Sequence, residues 1–303
     1  GFNKVFDVNV GADFTVMEES AELLVRIKNN ENLPLFSSCC PAWVKYLGIH
    51  YPDMAEHLST CKSPNEMLGA LIKSYYAEIN NIDPSRIKVV AIMPCTAKKQ
   101  EIVGNHDVDA VLTTRELATF IKYKNISFDH LQESQFDNPL GHYTGAGLIF
   151  GVTGGVTEAV LRTVADKLTG KDNSQVDFEV VRASAGIKEI SLNVADKQLN
   201  ICVVNGLKNA QTVMDKIVSG EKQYHFVEFM ACPGGCVNGG GQPFVDYSKT
   251  DYYDVAKIRA KGLYEYDKKL GERKSHKNQQ VKDIYSNFLI PNKLNYKLLH
   301  HHH

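Results

Sequence analysis

Phe226-Val-Glu228-Phe-Met230-Ala-Cys232-Pro-Gly-Gly-Cys236-Val-Asn-Gly-Gly-Gly-Gln242-Pro243 runs from a β-rich apolar segment straight into two cysteines separated by a glycine-rich turn. Residues 224–230 read as a buried strand. The plan recurs twice. Residues 87–93 (IKVVAIM) end at Pro94-Cys95, and the short apolar run 33–36 leads into Cys39-Cys40-Pro41. Residues 109–112 and 199–205 read as further strands. Helical patterns lie between them. Residues 15–27 open on a capping-box pair, Thr15 with Glu18; Thr113 with Glu116 repeats the device ahead of 117–122. Residues 156–168 carry apolar side chains at helical spacing. This alternation, with near-continuous apolar strands, predicts an α/β fold of mostly parallel sheets flanked by helices. In such sheets ligands bind beyond the carboxyl ends of the strands, so three cysteine-bearing strand ends can converge on one site.

The bulk properties narrow the class. Of 303 residues, 43% are hydrophobic and 23% charged, with a net charge of −1. That is ordinary for a globular chain with a sizeable core, and it lacks the basic footprint of a nucleic-acid binder. No uninterrupted apolar run reaches the ~18 residues of a membrane span. No export signal precedes the first element, so a cytoplasmic location is expected. Beyond Pro243 the character changes. Residues 257–289 are highly charged with helical spacing, and Leu263, Tyr264, Leu270, Val281, Tyr285 and Phe288 offer apolar contacts. This reads as a C-terminal helical wrap. The expected organisation is residues 1–243 as a two-lobed site-bearing domain and 244–296 as the helical segment. The histidines 300–303 are set aside as a purification tag, and residues 125–138 read as a surface loop.

Seven cysteines are present: Cys39, Cys40, Cys61, Cys95, Cys202, Cys232 and Cys236. An odd number in a large chain without an export signal argues for metal binding or catalysis over a disulfide framework. Thiolates are soft ligands that suit zinc or iron–sulfur clusters. Zinc knuckles show two short cysteine pairs. Here one pair, Cys232 and Cys236, joins two distant singles, Cys40 and Cys95, which favours a four-cysteine cluster between layers. Five glycines in the eight positions 234–241 let backbone approach a bulky inorganic group. The plainer alternative is a flexible turn with inert buried thiols. Cys61 and Cys202 are isolated and read as ordinary buried thiols.

Cys39 and Cys40 point to opposite sides of an extended chain. If one binds a cluster, the other faces a different cavity, where a free thiol either exchanges protons or lies inert. Glu19, Glu22 and Arg26 fall at i, i+3 and i+7, a narrow stripe on a helix. Such a stripe is ordinarily a solvated ion-pair face; the other reading is a proton relay from solvent to a buried acceptor. Lys98 either turns back toward Cys95 or lies solvated beside Lys99.

Ser38-Cys39-Cys40-Pro41 with Trp43, Met93-Pro94-Cys95 with Lys98, Lys99 and Glu101, and the opening stretch resemble the three signatures of [FeFe] hydrogenases. The sequence Tyr143-Thr-Gly-Ala-Gly-Leu-Ile-Phe150-Gly-Val-Thr-Gly-Gly155, Val181-Arg182 with Gly186-Ile-Lys-Glu189, and Arg273-Lys-Ser-His276 are similar to the family as well. The resemblance spans essentially residues 1–290. It implies two α/β lobes with the cofactor between them. That cofactor is the H-cluster, a [4Fe-4S] cubane joined to a diiron unit carrying CO, CN⁻ and an azadithiolate bridge. Carried over by position, Cys40, Cys95, Cys232 and Cys236 bind the cubane, and Cys236 also bridges to the diiron unit. Lys98 hydrogen-bonds a cyanide. Met93 and Met230 line the diiron pocket, with Ser38, Pro94 and Phe150 as further cofactor contacts. Cys39 passes protons and is fed through Glu19, Ser59, Glu22 and Arg26.

The implied activity is reversible reduction of protons to H2, with electrons exchanged directly with a ferredoxin-like carrier and the diiron unit installed by maturation proteins. Ser37 and Ala42 replace the Thr and Gly common in the first signature. The family's domain normally has a further N-terminal segment that completes the diiron pocket; this chain starts after it, and a second chain is one expected source. The competing expectation is a hydrogenase-like assembly, structural or sensory protein that binds a [4Fe-4S] cluster without hydrogen turnover. Such proteins are expected to lack the relay residues, whereas Cys39, Glu19 and Glu22 are all present.

Overall fold

The computed structural model describes residues 1–183, 186–194, 197–246, 248 and 250–301. Each expected strand forms, shortened or lengthened by a few residues: β1 (Leu35–Phe36), β2 (Val90–Met93), β3 (Ala110–Thr113), β5 (Lys197–Asn205) and β6 (Phe226–Met230). One more, β4 (Ile187–Val194), lies at a sheet edge. It lacks the continuous apolar run that marks the others; only Ile190 and Val194 are buried along it. The strands make a four-stranded sheet, β1-β6-β5-β4, and a two-stranded sheet, β2-β3. All pairings are parallel except β4 with β5.

Strand β6 lies between β1 and β5 and all five of its residues are buried. Side chains alternate along a strand, so β6 serves two cores. Phe226 and Met230 join one formed with α1 (Val8–Asn29) and helix Gly155–Thr169, through Val16, Leu23, Val160 and Val164. Val227 and Phe229 join the other, formed with α2 (Pro41–His50) and helix Leu207–Val218, through Trp43, Leu47, Val213 and Met214. Trp43 stacks on Phe229 with ring centroids 3.7 Å apart. Such a stack is worth about 1 kcal/mol beyond its area. It fixes α2, whose N-terminal cap is Cys40.

Helix α1 corrects one expectation. It starts at Val8, capped by Asp7, whose side chain accepts from the Asn9 N–H. Thr15 is therefore inside the helix, and its hydroxyl donates to the Gly11 carbonyl. Burial of Val10, Ala12 and Phe14 favours helix upstream of Thr15, as far as the nearest capping carboxylate. The Thr113–Glu116 box does form, with both reciprocal bonds. Beyond Pro243 the chain is helical in pieces: Tyr252–Asp267, a turn at Ser275–Lys277, then Gln279–Ile284 and the wide turn Tyr285–Leu289. Val281, Ile284, Phe288 and Leu299 pack with Val10 and Phe14 of α1 in a third core. The histidine run also departs from expectation. His300 is only 6% exposed and sits in the fold, because its ring has polar partners on two sides. His302 and His303 lie outside the described residues.

Candidate metal centre and proton relay

Three strand ends meet between the two sheets. β1 leads to Cys39 and Cys40, β2 to Cys95, and β6 to Cys232 and Cys236. The Cys40 sulfur accepts from the Ala231 N–H at 3.5 Å, tying the first motif to the third. The Cys236 thiol is pushed up first by burial and then by Cys40, Cys232 and Cys95. Cys232, at about 11, is raised by burial and then by Cys40 and Cys95. Burial and neighbouring thiols thus oppose ionisation of Cys232 and Cys236, as expected of soft ligands brought close together. Among the described residues no three Cys, His, Asp or Glu side chains form a single-ion site. A ring of four thiols is the ligand set that an iron–sulfur cubane takes.

Glycines close that ring. Gly235 has φ of +93°, and a Cβ there would meet the Thr153 nitrogen at 2.7 Å and the Met230 sulfur at 3.1 Å. Gly239 lies against the second motif, where a Cβ would stand 2.1 Å from the Pro94 carbonyl oxygen. That carbonyl accepts from the Gly241 N–H at 2.8 Å. Ser37, the departure from the first signature, is fully buried and its hydroxyl accepts from the Phe229 N–H. Phe150 and Met230 are buried, Met93 ends β2 half-buried, and the Ser38 hydroxyl donates to the Cys61 carbonyl.

Lys98 is 5% exposed and turns inward. Its ammonium donates to the Cys39 carbonyl at 3.2 Å and to Glu101 at 2.5 Å. Burial disfavours the charge, but Glu101, together with Glu66 and Cys39, outweighs it and the ammonium is held above its ordinary range. Glu101, three residues on, is a partner that its helical spacing to Lys98 makes legible in retrospect.

The α1 stripe faces the protein. Arg26 is buried, donating to Glu22 at 2.6 Å and to the carbonyls of Asn32, His57 and Leu58. The Ser59 hydroxyl donates to Glu22 at 2.8 Å, and Ser59 and the Ser38 N–H lie close enough to Glu19 to favour its charged form. Glu19 is 1% exposed, with Oε2 lacking a partner among the described residues. Burial, then Glu22 and Glu228, push its carboxyl up to about 8. Its charge is felt at Cys39, whose thiol is raised first by burial and second by Glu19. Arg26, Glu22 and Ser59 are thus joined by hydrogen bonds, with Glu19 beside Ser59 and its charge reaching Cys39. Glu228, a residue the sequence reading left unassigned, accepts from the Gly154 and Thr157 N–H groups and the Thr157 hydroxyl. It pins the start of helix Gly155–Thr169 behind the site, a fitting place for an anion.

Residues 1–240 match the family described as iron only hydrogenase large subunit, C-terminal domain, and residues 253–303 match iron hydrogenase small subunit. Iron hydrogenase 1 of Clostridium pasteurianum is 45% identical over 295 residues, which are 95% of this chain and 51% of that protein. The periplasmic [Fe] hydrogenase large subunit of Nitratidesulfovibrio vulgaris is 46% identical over 252 residues, 80% of this chain and 60% of that protein. The chain thus spans about half of the first relative and three-fifths of the second. A solved variant of an [FeFe]-hydrogenase from Chlamydomonas reinhardtii matches with a TM-score of 0.84 at 36% identity, covering all of this chain and 85% of that one. At lower identity, 31% over 266 residues, a cytosolic Fe-S cluster assembly factor of Xenopus tropicalis covers 80% of this chain and 54% of its own length. Among the described residues no helix is long and apolar enough to cross a membrane.

Proposed function

Because the chain belongs to the iron-only hydrogenase large-subunit family, matched over residues 1–240, we propose that it interconverts protons, electrons and H2. Cys40, Cys95, Cys232 and Cys236 would hold a [4Fe-4S] cubane, with Cys236 shared by a diiron unit that supplies the binding and cleavage of hydrogen. The observation that carries the reading is the meeting of these four thiols at three strand ends, with a fifth thiol, Cys39, influenced by the buried Glu19. Lys98, fixed by Glu101 and the Cys39 carbonyl, keeps a positive charge beside an anionic group. Met93, Met230, Phe150, Pro94 and Ser38 shape the wall and exclude water.

Protons travel through this chain's own side chains. The Arg26–Glu22 pair takes a proton near the surface, Ser59 bridges Glu22 to Glu19, and Glu19 hands it on to Cys39. Burial keeps Glu19 protonated near neutral pH, the state in which it can donate. Electrons are assigned to a ferredoxin-type carrier, and installation of the diiron unit to maturation proteins.

The test is to load the chain with iron, sulfide and a synthetic diiron complex. Infrared bands of CO and CN⁻ together with H2 evolution from a reduced carrier are expected. Cubane absorbance and diiron bands without H2 would replace this reading with cluster binding alone, the role that the 31%-identical assembly factor suggests. Cys39→Ala is expected to keep the infrared bands and lose H2 evolution by about 100-fold or more, the size of a general acid–base contribution. Full activity in that variant would remove Cys39 from the relay.

A further inference from the structure

Glu22 is reached by hydrogen bonds from a second direction. The Thr60 hydroxyl lies 3.4 Å from Glu22 Oε2, and the Thr60 N–H donates to the same oxygen at 3.1 Å. On its other side that hydroxyl lies 2.8 Å from His300 Nδ1. His300 Nε2 is 3.0 Å from Glu18 Oε2, and Glu18 Oε1 accepts from the Tyr285 hydroxyl. The ring is held by its backbone. Lys62 N donates to the Leu299 carbonyl and His301 N to the Thr60 carbonyl, each at 2.8 Å, so the chain around His300 is laced to residues 60–62. Tyr296 stacks on the ring, with centroids 4.8 Å apart. Cys61 is paired with His300 through the backbone, and Glu66 lies beside His301. Of these neighbours only Glu18 and Thr60 are hydrogen-bonded to the ring nitrogens.

We propose that Glu18, His300 and Thr60 form a second proton branch that joins the relay at Glu22. Its purpose rests on the hydrogenase reading; its geometry does not. A proton on Glu18 Oε2 passes to His300 Nε2. The proton on Nδ1 moves to Thr60 Oγ1, and the hydroxyl's own proton moves to Glu22 Oε2. Each hop breaks one N–H or O–H bond and makes another, and no electrons move. An imidazole with a carboxylate at one nitrogen and a hydroxyl at the other is suited to this shuttling. The two entrances are equally open: the Glu18 side chain is 12% exposed and that of Glu22 13%. Glu22 is then a junction, reached directly from solvent beside Arg26 on one side and through Thr60 on the other.

The coupling is tested first without turnover. In the purified chain labelled with 15N-histidine, the His300 Nδ1 signal is expected to move on Thr60→Val and on Glu22→Gln, although Glu22 does not touch the ring. A signal that ignores Glu22→Gln overturns the branch, whether or not the chain makes H2. In the loaded enzyme, Thr60→Val and His300→Gln are expected to lower H2 evolution about two- to fivefold, as for loss of one of two acid–base routes. Added imidazole is expected to restore much of the rate in His300→Ala and none in Thr60→Val. Loss of activity in His300→Ala that imidazole does not restore, with an unchanged melting temperature, overturns the branch. If the wild-type chain makes no H2 at all, the hydrogenase reading fails and the NMR coupling alone decides whether the branch exists.

Discussion

Glu19 has almost no exposed surface and a carboxyl pushed up to about 8, first by burial and then by Glu22 and Glu228. Unfolded, the same group titrates near its ordinary value of 4.5. Between these values the folded chain binds the proton and the unfolded chain does not, so this group makes stability fall as pH rises from about 4.5 to about 8. Glu19→Gln removes that slope. The variant is expected to gain little melting temperature at pH 5 and progressively more toward pH 8.5, in scans of the cluster-free chain. A gain equal at both ends would mean that Glu19 is ionised throughout. This burial was not legible in the sequence. The i, i+3, i+7 spacing fixes a stripe on a helix but not the direction it faces. The direction is set by donors far along the chain, the Ser59 hydroxyl and the Ser38 N–H, which cover the acids of α1.

At the scale of elements, the strand ends were legible and their closure was not. Apolar runs with β-rich composition located β1, β2, β3, β5 and β6, because strands covered on both faces carry their burial in their composition. Half-exposed β4 escaped, as did the true start of α1, where tertiary packing outweighed a local Thr15–Glu18 signal. The glycine cluster after Cys232 announced a close approach without naming its partner. The partner is the Pro94 carbonyl, so the third motif is packed directly on the second. Gly239→Ala would place a methyl 2.1 Å from that rigid backbone atom. Gly240→Ala would meet nothing closer than the Thr96 hydroxyl at 3.2 Å, which can rotate. Gly239→Ala is expected to cut iron incorporation during cluster loading several-fold, measured as iron bound per chain. Gly240→Ala is expected to incorporate iron to within about twofold of wild type.

At the scale of the molecule, the segment beyond Pro243 is part of the core that carries the site. Arg162 is fully buried on helix Gly155–Thr169, whose first turn is held by Glu228 behind the site. Its guanidinium pairs with Glu158 and Asp267, each at 2.9 Å, and donates to the carbonyls of Val176 and Arg273. Asp267 also binds Arg273 at 2.5 Å, so one carboxylate ties two cations from two parts of the chain. Charged residues dispersed from 158 to 273 gave no pattern that predicted this assembly, since its order exists only after folding. Asp267→Ala leaves Arg162 buried with Glu158 as its remaining carboxylate partner, and breaking a buried ion pair in that way costs about 3–5 kcal/mol. Chemical denaturation is expected to show a loss of that size for Asp267→Ala. Lys261→Ala, which removes an exposed pair with Glu265, is expected to change stability by about 0.5 kcal/mol or less. The helical segment is docked through this carboxylate and through the apolar contacts of Val281 and Phe288 with α1. Asp267→Ala is therefore also expected to make helix Tyr252–Asp267 exchange its amide protons faster than β6 does. Equal protection in the two elements would mean that the segment is held by its apolar contacts alone.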